Sequence, residues 1–160
     1  MILRPACPGD EETIFGLICE LAEYEKLTDA VTGNPERLAV HLFGPEAFVE
    51  AVIAEVEGVA VGFALFFRNF STFLSTPGIY LEDLYVQPAF RGHGIGKALI
   101  MHLAQLAVAR GYGRLEWSVL TWNTPAIGFY EYLGAEILEG WRGCRVSGDQ
   151  LINLAQKSSE

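Results

Sequence analysis

Apolar and polar positions alternate along this chain in two distinct periods, and the switches between them predict the order of elements. Residues 2–6 read as a first strand. Ile14, Leu17, Ile18 and Leu21 then recur at helical spacing, which predicts a helix over residues 11–25 with Asp10 as its N-cap. Asn34 and Pro35 are suited to the N-cap and first position of a second helix, running to about Phe43 and ending near Gly44-Pro45. Two runs rich in Val, Ile, Phe and Ala, residues 48–55 and 59–67, flank Glu57-Gly58 and predict an antiparallel hairpin. Residues 69–78 are polar and read as a loop, followed by a strand over residues 79–86. A long helix over residues 94–110, closed by Gly111, leads to a strand at 115–120. Asn123 and Pro125 open a fourth helix that stops at Gly134, residues 135–138 and 141–146 read as closing strands, and residues 149–155 as a short last helix.

This order predicts a single α+β domain over residues 1–160, a central, mostly antiparallel twisted sheet with one parallel strand pair, flanked by helices. The two strands around the 94–110 helix are expected to be parallel neighbours joined by a right-handed crossover. A ligand held where that crossover begins would lie at the carboxyl ends of the strands.

Composition narrows the class. The chain has 160 residues, 51% of them hydrophobic and 12% aromatic, enough to build a core and too many for disorder. No apolar run is long enough to span a bilayer and the N-terminus lacks the pattern of a secretory signal, so the cytoplasm is the expected compartment. Cys7, Cys19 and Cys144 lie far apart and are expected to be reduced thiols. The histidines show no ligand spacing, so no metal is expected. The net charge of −9 sits in the first sixty residues, where twelve acids face three bases; the rest of the chain is balanced. Such a field repels nucleic acid and anionic membrane and attracts cations.

The candidate chemistry begins at Arg91-Gly92-His93-Gly94-Ile95-Gly96-Lys97, between a strand and a helix. Alternate glycines there open backbone amides to an anion at the positive end of a helix dipole, and Arg91 and Lys97 bracket them as phosphate partners. A dinucleotide fingerprint fails because Lys97 or Leu99 falls where its last glycine belongs, which argues against a nucleotide oxidoreductase. A Walker A loop fails at Arg91 and Ala98.

The remaining pattern resembles the coenzyme A loop of the GNAT acetyltransferase superfamily. With Ala22-Glu23-Tyr24-Glu25, Tyr80-Leu81-Glu82-Asp83-Leu84-Tyr85-Val86, Trp122-Asn123, Pro125-Ala126, Phe129-Tyr130 and Gly140-Trp141-Arg142 in the same order, the chain resembles the diamine (spermidine/spermine) acetyltransferases over nearly its whole length. Phe70-Ser71-Thr72-Phe73 and Ser118-Val119-Leu120-Thr121-Trp122-Asn123 look closer to the thialysine-acetylating branch. Where the spermine-type pattern places an acid and a Trp, this chain has Thr72 and Leu74, which points to a smaller amine.

The resemblance implies acetyl transfer from acetyl-CoA to a primary amine of a small cationic substrate, by an enzyme expected to be a homodimer. The backbone of Leu84, Tyr85 and Val86 would hold the pantetheine arm, and Arg91, Gly92, His93, Gly94, Ile95, Gly96 and Lys97 the pyrophosphate. Asn123, Pro125 and Ala126 would add cofactor contacts. Tyr130 matches the family's general acid and Glu82 its proton-accepting carboxylate. Tyr24, Glu25, Glu82, Asp83, Glu139 and Trp141 match positions associated with the amine. Strand alternation puts Glu82 and Asp83 on opposite faces unless a bulge intervenes. A non-catalytic acyl-CoA sensor using the same loop is the alternative.

Overall fold

The computed structural model describes residues 1–157. The chain divides into two compact units, residues 1–120 and the segment from Thr121 onward. The first unit holds a five-stranded sheet in the order β1 (Ile2–Pro5), β2 (Val49–Val56), β3 (Val59–Ser71), β4 (Thr76–Val86), β5 (Leu115–Trp117). The first four strands pair antiparallel, and β4 and β5 pair parallel across α3 (Ile95–Ala109). This is the mixed sheet with one parallel pair that the sequence order predicts. Of the described residues, none forms a helix long and apolar enough to cross a membrane.

Each face of the sheet buries its own core. On one face α1 (Glu11–Tyr24) and α2 (Pro35–Phe43) bring Ile14, Leu17, Leu21 and Leu42 against Ile53, Phe63, Leu65 and Tyr85. On the other, Ile95, Leu99, Leu103 and Ala107 of α3 pack on Val52, Ala64, Phe66, Ile79 and Leu81. The central strands are buried on both faces, which is why β3 reads as a nearly unbroken apolar run. Asn34 caps α2 as expected, its Oδ1 accepting from Arg37 N at 2.8 Å.

Several boundaries differ from the sequence reading. Residues 69–71 and 76–78 are not loop but the paired outer end of the β3–β4 hairpin, with Asn69 opposite Gly78 and Ser71 opposite Thr76. The ladder decides the conformation, and it buries Ser71 and Gly78 although the segment carries turn-forming residues. β5 stops at Trp117 instead of reaching residue 120, because its pairing with β4 ends at Leu81. Among the described residues, 135–138 and 141–146 form no strand; glycines interrupt the alternation at Gly140 and Gly143, and no ladder partner fixes it. The last helix, α5 (Gly148–Gln156), forms close to where it is expected.

Asp10 stands at the N-cap of α1 but its side chain makes no cap hydrogen bond. It accepts instead from Arg4 at 2.7 and 2.9 Å and from Cys7 N at 2.8 Å, while Arg4 Nε donates to Glu55 at 2.7 Å, so one guanidinium ties β1, β2 and the start of α1. These bonds, led by the one from Arg4, hold the Asp10 carboxyl far below the ordinary carboxylate range. A depressed folded-state pKa stabilises above the unfolded value of about 3.9, and the contribution is lost as pH falls below it. Asp10→Asn is therefore expected to cost about 2 kcal/mol at pH 7. The difference between variant and parent should shrink in urea titrations repeated at progressively lower pH; a constant difference would refute the linkage.

Candidate functional site

The site is organised by the carboxyl half of β4. Up to Leu81 the strand lies between β3 and β5; beyond it β5 no longer pairs, so residues 82–86 keep their ladder to β3 and present an edge on the β5 side. At this point the β3–β4 register also slips, Leu65 facing Asp83 while Phe66 faces Leu81, which leaves Glu82 as the extra residue of a bulge. Before the slip Ile79 and Leu81 pack on the α3 side; after it Leu84 and Val86 do. Asp83 therefore shares the α1–α2 face with its register partner Leu65 and with Tyr85, and Glu82 is exposed at the bulge. A bulge ends strict alternation, so the opposite-face expectation for Glu82 and Asp83 does not apply.

The bulge gathers acids. Asp83 is half-buried, and its carboxyl is pushed up to about 6, chiefly by desolvation and further by the charges of Glu82 and Glu25. Glu25, the C-cap residue of α1, is itself raised by burial. Asp83 thus feels the charges of Glu82 and Glu25 where β4 bulges. Such a cluster attracts an ammonium, and the raised carboxyl can accept a proton from it.

A few residues further on, Pro88–Phe90 forms a 3₁₀ turn, and Arg91 leads into the glycine loop. Gly92 and Gly94 adopt φ of 79° and 81°, the left-handed region, and a Cβ at either would meet no atom within 4 Å. Gly94 is the N-cap of α3 and offers no side chain to the helix's first amides, so those of Ile95 and Gly96 face outward from the helix start. The side chain of Ile95 is buried in the core and only its backbone is available to a ligand; Gly96 is half-buried and Lys97 exposed. His93 donates from Nδ1 to Arg91 O at 2.9 Å, closing the turn. An anion cradle of backbone amides fits a pyrophosphate here, since the space a Cβ would take stays open. Gly94→Ala leaves that space free of clash but forces φ > 0 on an L-residue, so it should cost about 1 kcal/mol of stability and raise severalfold the KM for the acetyl-CoA that the resemblance implies. Thermal unfolding with acetyl-CoA titration checks this; an unchanged KM would remove the loop from the cofactor site.

Tyr85 shares its region with residues that sequence reading missed. Its ring is buried, and its hydroxyl is raised by desolvation and by Glu20. Gln87 Nε2 donates to Glu20 Oε1 at 3.0 Å. Only the backbone of Tyr85 is thus left for a ligand. Glu20 and Gln87 carry no motif; the one signal available is that Glu20 lies one helical turn before Tyr24.

The second unit carries the remaining candidates. Asn123 caps α4 (Thr124–Tyr132), its Oδ1 accepting from Ala126 N at 3.4 Å, with Pro125 in the first turn. Tyr130 is buried on this helix, its ring centroid 5.4 Å from that of Phe129. Glu139 and Trp141 lie in the irregular segment before α5, both exposed, Trp141 to 79%.

Comparison with known proteins gives three findings. The profile of the acetyltransferase (GNAT) family matches residues 19–135. The chain is 39% identical to thialysine N-epsilon-acetyltransferase of Bos taurus over 98% of both chains, and 46% identical to L-ornithine N5-acetyltransferase of Arabidopsis thaliana over 93% of this chain and 85% of that one. Among solved structures, an integron cassette protein from the mobile metagenome of V. cholerae superposes with a TM-score of 0.82 at 27% identity, covering 98% of each chain.

Proposed function

Because the chain belongs to the acetyltransferase (GNAT) family, and its relatives acetylate amines, it is an acetyl-CoA dependent amine N-acetyltransferase, and we propose that its acceptor is the terminal amine of a small cationic amino acid or diamine. The observation that carries this reading is the meeting of Glu25, Glu82 and Asp83 at the bulge of β4, beside the strand edge where the parallel pair ends. Both an amino acid with a side-chain ammonium and a diamine present the charge such a cluster selects. The thialysine and ornithine activities of the relatives favour the amino acid.

The residues divide the work by their chemistry. An alkyl ammonium of pKa about 10.4 leaves roughly one molecule in 10³ to 10⁴ nucleophilic at pH 7, a handicap of about 4.6 kcal/mol. Asp83, with its carboxyl at about 6, is better matched to take that proton than an ordinary carboxylate, and Glu82 at the exposed bulge passes it towards water. Bound acetyl-CoA supplies the thioester carbon that the amine attacks, a C–N bond forming as the C–S bond breaks. The Tyr130 hydroxyl protonates the departing sulfur, and the second proton, which the nitrogen sheds as the amide forms, returns through solvent to restore the hydroxyl. The amides of the Gly92–Lys97 loop bind the pyrophosphate, the edge of β4 at Leu84 to Val86 aligns the pantetheine arm, and Asn123, Pro125 and Ala126 add the cofactor contacts that the family resemblance implies. The family resemblance further associates Tyr24, Glu139 and Trp141 with recognition of the amine, for which aromatic and acidic side chains are suited.

The same reading takes residues 1–160 as one catalytic domain, working as a cytoplasmic homodimer without metal, after its family. Purified protein treated with EDTA and mixed with acetyl-CoA is expected to release free thiol with ornithine, lysine or thialysine, and at least about tenfold more slowly with spermine. Preference for spermine would overturn the substrate reading. Tight binding of acetyl-CoA with no thiol released by any amine would favour the sensor.

A further inference from the structure

The Arg91 side chain does not stand out from the glycine loop as a phosphate arm would. Its Nε donates to Val86 O at 2.8 Å, at the end of β4. Its guanidinium carbon lies 4.7 Å from the ring centroid of Tyr24, the last residue of α1, and 5.5 Å from that of Tyr85. The backbone N of Arg91 donates to Pro88 O at 3.2 Å and its carbonyl accepts from His93, so the side chain is rooted in the first turn of the loop. Glu20, one turn before Tyr24, is held by Gln87 from the same β4 end. One planar cation thus joins three pieces: the loop that begins at Gly92, the last carbonyl of β4, and the aromatic end of α1. Glu25 follows Tyr24 directly and acts electrostatically on Asp83.

We propose that Arg91 is a positioning residue that couples the pyrophosphate loop to the C-terminal turn of α1, so that filling the loop orders the amine-side carboxylate Glu25. This deepens the acetyltransferase reading and rests on it for the identity of the two ligands. The physical reason is the shape of the guanidinium: its face stacks on aromatic rings while its edge donates to a carbonyl, which fixes it in two directions at once. A loop ligand that restrains Arg91 also restrains Tyr24, and by linkage an amine that orders the α1 end tightens the cofactor in return. A lysine keeps the charge one residue from Gly92 but cannot do both tasks.

Hydrogen exchange with free CoA as the probe tests this, because it needs no turnover. The reporters are the amides that close the α1 end: Glu25 N to Leu21 O, Lys26 N to Glu23 O and Leu27 N to Ala22 O. CoA is expected to slow their exchange about fivefold or more in the parent protein, along with the loop amides. In Arg91→Lys and Arg91→Gln the loop protection should persist while that of residues 25–27 is lost, and the amine KM should rise about tenfold with kcat within threefold. Tyr24→Leu, which keeps Arg91 and removes its aromatic partner, should likewise lose protection at 25–27, and so decides the matter if the Arg91 variants fail to fold. Undiminished α1 protection in these variants would overturn the proposal, as would a parent protein protected at the loop alone. Rescue by Arg91→Lys with CoA affinity lost only in Arg91→Gln would make Arg91 a phosphate ligand instead. Protection at both places with no thiol released from acetyl-CoA would sink the transfer reading and leave the coupling standing.

Discussion

Replacing Tyr130 by Phe is expected to lower kcat by about 10² or more while leaving both KM values within about threefold. The substitution deletes one hydroxyl and keeps the ring that is buried on α4, so the packing that positions the helix survives. On the mechanism proposed above, what is lost is the proton for the departing sulfur. A phenol in direct contact with the departing sulfur hands over its proton faster than the thiolate could wait for water. The family resemblance assigns the role; an isolated tyrosine in an amphipathic helix beside Phe129 would otherwise pass for a core aromatic. Steady-state kinetics at saturating acetyl-CoA and amine decide the question. A kcat unchanged in Tyr130→Phe would show that sulfur leaves unassisted or that another group protonates it.

The second large effect concerns Asp83 and Glu82. With the Asp83 carboxyl at about 6, the rate should fall on the acid side with an apparent pKa near 6, and Asp83→Asn should remove that limb and lower kcat/KM about 10²-fold. Glu82→Gln tests which carboxylate titrates. Its charge raises Asp83, so removing it should move the acid limb to lower pH if Asp83 is the base and abolish the limb if Glu82 is. Stability supplies an independent check with a definite sign. The folded-state pKa of Asp83 lies above its unfolded value of about 3.9, so its ionisation opposes folding; stability is greatest below pH 4 and is lost as pH rises through 6. Asp83→Asn should therefore be the more stable protein at pH 8, by about 2 kcal/mol, while being the poorer enzyme. Chemical unfolding at pH 4 and pH 8 would refute this if the variant were no more stable at the higher pH.

How much of this was legible beforehand depends on whether a feature is local. The capping pair Asn34-Pro35 and the apolar spacing of α1 and α3 announce their helices because each signal and its consequence lie within a turn or two. The glycine loop was legible for the same reason: positive φ at Gly92 and Gly94 and a helix start just beyond are written into adjacent residues. Even the bulge left a trace, since the alternation Ile79, Leu81 changes phase to Leu84, Val86 across two consecutive acids. Asp10 misled because an acid before a helix is a good cap in isolation, whereas Arg4 on β1 offers it a stronger partner.

The sequence by itself determined the mixed sheet with one parallel pair, the glycine turn at the start of α3 and the concentration of acids in the first sixty residues, because these follow from residue period, backbone conformation and summed charge. Only the tertiary structure decided where strands end, since a ladder needs a partner: β5 stops where β4 bulges, and β3 continues through polar residues because β4 lies beside it. Likewise, only the structure moved Asp83 towards neutrality and bound Arg91 to Tyr24, because desolvation and stacking join residues far apart in the chain.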